Sequence, residues 1–383
     1  MTAPVGSRET HISMLFFAPE RVYKLLKPLR TGYLDHTTVD RRIAAITAEL
    51  DVNRRFAPDV YLGASELHEH GRVTDAVLIM RRLPDDRRLS TLLDTPDADD
   101  HLRRVAHRIA TVHAEAPPIL GQHPMSTAAG LLALWESSFA DIAAHVGSTI
   151  DGEEFERVRQ LVRTYLNHSE WLFAERSRRG FVRDGHGDLT ADDIFVLDDG
   201  PRLLDCLAFD AGLRISDVLA DVGFLVMDVE RIAGPELARS VLRFYGELTG
   251  EHHPASLADH YIAYRAHVRA KVALLSHAQG HAGFAELARR YHRQSLDHLR
   301  RARRRLVLIG GGPGTGKTTL ARALAHALDW AVVDSDTLRK DLCHVDHDVP
   351  STATPACTSR RRPTRPTPRC ATRPRCCCVP VSR

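Results

Sequence analysis

The sequence predicts an α+β chain of two lobes, followed by a short, incomplete α/β segment and a disordered tail. Three observations carry that reading. Two strand-like runs, 21–28 and 77–84, flank a stretch at helical spacing over 38–55. From 97 to 304 the pattern is helical, interrupted by one short hairpin after His186. An apolar run, 306–309, then meets a glycine-rich octapeptide and a further helical stretch, 320–328. The boundaries drawn are 1–84 for the first lobe, 85–304 for the second, 305–349 for the α/β segment and 350–383 for the tail.

In the first lobe, Arg21-Val-Tyr-Lys24-Leu-Leu-Lys27-Pro28 reads as a strand with a lysine inside it. Ile43, Ile46 and Leu50 share one helix face, and Glu49 lies on that helix. A strand lysine paired with a helix glutamate is the arrangement that holds the α/β-phosphates of ATP. Lys24 is preferred over Lys27, which precedes Pro28 at the strand end. Residues 77–84 read as the last strand of this lobe, ending at Pro84. No glycine-rich loop precedes the lysine strand, and Thr10-His-Ile-Ser13 stands where one belongs.

The second lobe is helical by periodicity. Leu102, Val105, Ile109 and Val112 line one face of 97–114, and 128–146, 153–176, 217–229 and 257–304 behave similarly. The last contains the basic run Tyr264-Arg-Ala-His-Val-Arg-Ala-Lys271. Asp217 and Asp221 lie four apart on a helix and read as a solvated or arginine-paired face, with Arg214 the nearest cation. The histidines are scattered, and none is assigned to metal.

The chemistry concentrates in His186-Gly-Asp188-Leu-Thr-Ala-Asp-Asp193. Residues 194–197 and 202–204 read as two strands around an Asp198-Asp-Gly-Pro201 turn, and Asp205 ends the second. Asp188, Asp193 and Asp205 are thereby offered to one place. Phosphoryl transfer needs such a set: one carboxylate takes or orients the acceptor hydroxyl, and two oxygen ligands hold Mg²⁺ on the ATP phosphates.

The octapeptide Gly311-Gly-Pro-Gly-Thr-Gly316-Lys317-Thr318 matches G-x-x-x-x-G-K-[ST] between an expected strand and an expected helix. Backbone N–H groups freed by the glycines, with the helix N-terminus, suit phosphate oxygens. Gly311, Gly314, Gly316, Lys317, Thr318 and Thr319 form the candidate nucleotide set; Lys317 would reach the β/γ-phosphates and Thr318 would hold Mg²⁺. Residues 329–333 read as the next strand. About 45 residues cannot bury a core unaided.

Composition bounds the rest. Hydrophobic content of 43% and charged content of 26% are ordinary for a globular chain. No apolar run approaches the roughly 18 residues of a membrane span, and the first nine residues lack a signal-peptide core, so a cytoplasmic location is expected. The net charge of +3 conceals eight arginines and no acid in 351–383, which leave the first 350 residues at −5. That mildly acidic body argues against a nucleic-acid footprint. Five of seven cysteines also fall in the tail, leaving Cys206 and Cys343 with no need of a disulfide. The tail itself, rich in Pro, Arg, Thr and Cys, has no apolar periodicity and fits a shifted reading frame.

On the H-G-D loop and its hairpin, the chain resembles the aminoglycoside phosphotransferase family, a branch of the protein-kinase-like fold. The resemblance implies Asp188 as catalytic base, Asp193 as metal ligand where that family usually has Asn, and Asp205 as the main Mg²⁺ ligand. The order of segments resembles a bacterial fusion, the bifunctional aminoglycoside phosphotransferase/ATP-binding proteins, over about residues 9–349. Asp336 and Arg339 resemble the acceptor acid and arginine of P-loop kinases of the shikimate or gluconate type. The expected activity is ATP-dependent phosphoryl transfer to a small-molecule hydroxyl acceptor. The alternatives are a non-catalytic nucleotide-binding pseudokinase, or a P-loop ATPase or small-molecule kinase remnant.

Overall fold

A computed structural model describes residues 6–10, 12–30, 34–281, 283–312, 314–328, 330–334 and 337–338. Asp336, Arg339 and the whole of 350–383 lie outside the described residues. The chain divides into two compact units, Met1–Arg304 and Arg305–Arg383.

The first unit begins with a five-stranded antiparallel sheet in the order β1-β2-β3-β5-β4. Its strands are β1 (Gly6–Glu9), β2 (Ser13–Phe17), β3 (Arg21–Leu26), β4 (Tyr61–Glu69) and β5 (Arg72–Arg81), with helix α1 (Val39–Asn53) between β3 and β4. Successive side chains of a strand point to opposite faces. Val22, Lys24 and Leu26 of β3 are therefore the buried set. Thr38 starts α1 by accepting the Arg41 N–H, and Ile46, Glu49 and Leu50 form its buried stripe. Ile46 and Leu50 pack with Leu26, Tyr61, Ala76 and Leu78. The charged pair Lys24 and Glu49 thus faces inward for the same reason as its apolar neighbours: strand and helix periodicity put it there.

The second lobe opens with α2 (Leu89–Leu92), α3 (Ala98–Glu115), α4 (Ala128–Ile142), α5 (Gly152–Asn167) and α6 (Glu170–Arg178). Short strands β6 (Val182–Asp184), β7 (Ile194–Leu197) and β8 (Gly200–Leu203) follow. Then come α7 (Ala211–Arg214), β9 (Ile215–Asp217), α8 (Val218–Ala233), α9 (Pro235–Thr249), α10 (Ala255–Ala278) and α11 (Phe284–Arg301). β7 pairs with β8 and β6 with β9, both antiparallel. One apolar core joins α3, α8 and α9 to the loop and hairpin through Leu189, Ile194 and Val196. A second lies between α4, α5, α10 and α11 around Trp135, Phe139 and Tyr261.

Two expected helices are divided. The stretch 153–176 breaks at Ser169, whose hydroxyl takes the Tyr165 carbonyl and so competes with the helical ladder. The stretch 257–304 breaks where Gly280 and Gly283 adopt positive φ.

In the second unit, α12 (Lys317–Leu328) forms where a helix was expected. The strands expected at 306–309 and 329–333 do not form among the described residues. A parallel strand exists only by pairing with neighbours, and no partner strand is present among the described residues of this unit. Leu306 is accordingly 84% exposed. Among the described residues of the whole chain, no helix is long and apolar enough to cross a membrane.

Candidate active site

Lys24 lies between two carboxylates. Its Nζ is 2.7 Å from Glu49 Oε1 and 3.2 Å from Asp205 Oδ1. Burial disfavours the ammonium charge, but the charges of Asp205 and Glu49 outweigh it, so the Lys24 pKa moves up. For Asp205 the Lys24 charge dominates and lowers the carboxyl pKa. Glu49 moves the other way, raised by burial. Lys24 is thus a permanent cation held by one carboxylate from α1 and one from the end of the β7–β8 hairpin.

The loop carrying Asp188 is shaped by backbone contacts. The carboxylate of Asp221, on α8, accepts the N–H groups of His186 and Gly187, each at 2.7 Å. A side chain at Gly185 would meet Asp221 Oδ2 at 2.6 Å, so only glycine permits that approach. His113 on α3 donates Nε2–H to the same Asp221 carboxylate at 3.1 Å. Burial opposes ionisation of Asp221, and the bond and charge of His113 overcome it, holding its pKa well below the carboxylate range. His186 donates Nε2–H to the Leu204 carbonyl at 3.0 Å, while its Nδ1 faces the Asp188 N–H at 3.4 Å. That pattern requires the neutral ring, and burial lowers the His186 pKa accordingly. His186 therefore supports the loop. Asp228, also on α8, accepts the Ala191 N–H at 2.9 Å and fixes the loop's far end.

The three aspartates act on one another. Burial, reinforced by the charge of Asp205, raises Asp188 to about 6. Burial and the charge of Asp205 raise Asp193 to about 7, against a 2.6 Å hydrogen bond from the Thr190 hydroxyl. Asp205 itself sits at φ +60°, an uncommon region for a residue with a side chain. Its N–H donates to the Tyr61 hydroxyl at 2.9 Å, and the next N–H, of Cys206, donates to Asn53 Oδ1 at 2.8 Å. Asn53 in turn donates to the Glu49 carbonyl at 2.9 Å. The strained conformation is held by fixed neighbours, as is usual where backbone strain persists.

Lys24, Glu49, Asp188, Asp193 and Asp205 are therefore electrostatically linked in one place. Lys27 serves a different purpose, reaching Glu9 at 2.6 Å and the Thr10 carbonyl at 2.5 Å under the β1–β2 turn. Sequence reasoning missed Asn53, Tyr61 and Asp228. Of the solvated or arginine-paired face expected of Asp217 and Asp221, neither residue is solvated. Asp217 is arginine-paired, though to Arg176, while Arg214 pairs with Asp184, and Asp221 pairs with His113 instead. The available signal was the apolar run around Asp221, since an acid inside a fully buried helix must have a dedicated partner.

Mg²⁺ takes oxygen ligands and keeps waters and phosphate oxygens in its shell. The carboxylates of Asp193 and Asp205, on either side of the hairpin, are a donor set of that kind. Among the described residues, no three His, Cys, Asp or Glu side chains converge tightly enough to hold a metal alone.

In the second unit, Gly314 and Gly316 have φ of +75° and +83°, and α12 begins at Lys317. Lys317 Nζ donates to the Gly312 carbonyl at 2.6 Å, and the Thr315 hydroxyl donates to the same oxygen at 2.8 Å. Thr318 and Thr319 occupy the first turn of that helix.

Comparison with known proteins agrees with both units. A family model described as an AAA domain matches residues 306–372. The chain is 54% identical over 39 residues to a shikimate kinase of Corynebacterium diphtheriae, covering 10% of this chain and 22% of that protein. A choline kinase structure from Cryptosporidium parvum superposes with a TM-score of 0.52 at 12% identity, covering 78% of this chain and 89% of that one. An aminoglycoside phosphotransferase, solved with GDP and kanamycin, gives a TM-score of 0.47 at 14% identity over 79% of this chain and 93% of its own. The uncharacterized protein Rv2004c of Mycobacterium tuberculosis is 36% identical over 340 residues, covering 88% of this chain and 68% of that protein. The chain belongs to the family of that mycobacterial protein, and it joins a kinase-like fold of the choline kinase type to a C-terminal phosphate-loop segment.

Proposed function

We propose that the chain is an ATP-dependent phosphotransferase acting on the hydroxyl of a small molecule. The observation that carries this reading is Lys24, held at 2.7 Å by Glu49 and at 3.2 Å by Asp205, with the half-buried Asp188 on the neighbouring loop. MgATP would supply the phosphoryl group, and Asp193 and Asp205 would hold its metal. Lys24 binds phosphate oxygens and keeps Asp205 ionised. Asp188 accepts the acceptor's O–H as a hydrogen bond and takes the proton; a pKa of about 6 suits a base working near neutrality. Asp221 positions that base through the backbone of His186 and Gly187.

The test is the melting temperature of the full chain with and without MgATP. Ligand at about 100 times its dissociation constant adds roughly 2.7 kcal/mol to the unit that binds it. The shift should survive Lys317→Ala and vanish in Asp205→Asn. A shift that follows Lys317 instead would move the nucleotide chemistry to the phosphate loop. No shift in the wild-type chain would end the proposal.

A second reading has one observation in its favour. The β1–β2 turn closes through Thr10 and Ser13, whose hydroxyls lie 2.8 Å apart, with no glycine to admit phosphates closely. A nucleotide-binding module without turnover would show the MgATP shift but release no ADP.

A further inference from the structure

Asn53, the last residue of α1, is fully buried and uncharged, yet it joins the two residues whose carboxylates hold Lys24. Its Oδ1 accepts the Cys206 N–H at 2.8 Å, directly after Asp205. Its Nδ2 donates to the Glu49 carbonyl at 2.9 Å. The partners fix which way the amide faces. A backbone N–H only donates and a carbonyl only accepts, so the flipped amide would satisfy neither.

Asn53 is itself anchored. Its carbonyl accepts the N–H groups of Phe56 and Ala57, each at 3.0 Å, which closes the turn after α1. The Phe56 ring packs in the second-lobe core with Leu89 and Leu102, edge-on to the His186 ring at a centroid distance of 5.0 Å. Arg108 of α3 donates to the Phe56 carbonyl at 2.9 Å. The turn that carries Asn53 is therefore tied to the lobe from which Asp205 comes.

Asp205 depends on that anchor more than its neighbours do. Its φ of +60° is costly for a residue with a side chain and persists only where surrounding contacts impose it. Two N–H bonds impose it, that of Asp205 to the Tyr61 hydroxyl and that of Cys206 to Asn53. A hydroxyl rotates about its C–O bond, whereas the planar amide, held at its other end by Glu49, offers its oxygen in one direction. Without that oxygen the Cys206 N–H is buried and unpaired, and it finds a new acceptor only by leaving the strained conformation. The Asp205 carboxylate moves with it.

We infer that Asn53 is a positioning residue. The acceptor half of its amide holds the Asp205 carboxylate at Lys24, through the next N–H, in the place where it would serve the metal of MgATP. This rests on the phosphotransferase reading for the role of that metal.

The experiment reads the thermal shift of the full chain at saturating ATP while Mg²⁺ is titrated, with Lys317→Ala in every sample so that the phosphate loop stays silent. Two variants split the amide. Asn53→Ser keeps a donor for the Glu49 carbonyl, as a helical serine hydroxyl does for the carbonyl one turn back, but ends short of the Cys206 N–H. Asn53→Asp keeps an acceptor at the same reach and loses the donor. The Mg²⁺ concentration at half-shift should rise about tenfold or more in Asn53→Ser, the usual loss when the support of a metal ligand is removed, and stay near the parent value in Asn53→Asp. Leu131→Ala, in the other core of the second lobe, lowers the melting temperature without touching this network and should leave that concentration unchanged. A parental Mg²⁺ requirement in Asn53→Ser, an equal rise in both Asn53 variants, or as large a rise in Leu131→Ala overturns the inference. Absence of any MgATP shift in the parent chain strikes the phosphotransferase reading itself, and the inference falls with it.

Discussion

His260 offers a sharp test of how the helical core is built. Its ring is fully buried on α10, stacked on Tyr165 with centroids 4.5 Å apart, and neither nitrogen has a hydrogen-bond partner. Burial alone lowers its pKa from 6.5 to about 3. The sign follows from linkage. Above pH 6.5 the ring is neutral in folded and unfolded chains, so nothing is lost. Below pH 6.5 the unfolded chain takes a proton that the folded chain refuses, and stability falls until pH reaches the folded value. Between pH 7 and pH 5 the loss is about 2 kcal/mol for this one ring. His260→Phe retains a ring against Tyr165 and removes the titration. Its added volume shifts stability by a constant amount, so the informative quantity is how the gap to wild type changes with pH. Urea unfolding at pH 7, 6, 5.5 and 5 should show the variant gaining about 2 kcal/mol on the wild type by pH 5. A gap that stays constant across that range would mean that the ring is not an unpaired neutral base in the core, and the account of this core would be wrong.

Three further outcomes are expected. Asp221→Asn should cost about 2–4 kcal/mol of stability, because an amide presents one acceptor where the two N–H groups of His186 and Gly187 and His113 now converge; urea midpoints measure it. The rate of ADP release should fall as pH drops through about 6, where Asp188 becomes protonated and stops accepting a proton. In Arg269→Gln that acid limb should move to higher pH, since Arg269 lowers the Asp188 pKa; a pH–rate profile reads both. Tyr61→Phe should leave the Asp205 N–H without its partner, costing about 1–3 kcal/mol in urea unfolding and weakening the MgATP shift.

What was legible in the sequence is what repeats or what carries a motif. Strand alternation put Lys24 inward, and helical spacing put Glu49 beside Ile46 and Leu50, so their meeting could be expected from two local patterns. The H-G-D loop and its hairpin were legible because turn residues punctuate short apolar runs. The strands β1, β2 and β4 were not, since an edge strand such as β1, exposed at all four positions, has no alternation to read. Helix α9 was missed despite Pro235 at its start and Gly250 in the left-handed region at its end, both ordinary terminus signals. Asn53, Tyr61 and Asp228 were illegible in a stronger sense. Each acts by accepting a backbone N–H from a segment far along the chain, and no local pattern announces that.

The contacts of Asp205 bring the lobes to a single peptide. Just before and after it the chain belongs to the second lobe: Leu204 N–H donates to the Asp193 carbonyl and Leu207 N–H to the His186 carbonyl, at 2.9 and 3.0 Å. At Asp205 and Cys206 the partners change to the first lobe, with Tyr61, Asn53 and Lys24 taking the N–H groups and the carboxylate. The left-handed φ of +60° falls at that change of partners. The loop around Asp188, in contrast, takes its side-chain hydrogen bonds from the second lobe, from Asp221, Asp228 and Arg265. Relative motion of the lobes would therefore act on the Lys24–Asp205 contact. Arg55 on Asp184 and Arg202 on Asp59, at 2.7 and 2.8 Å, are further ion pairs between the lobes.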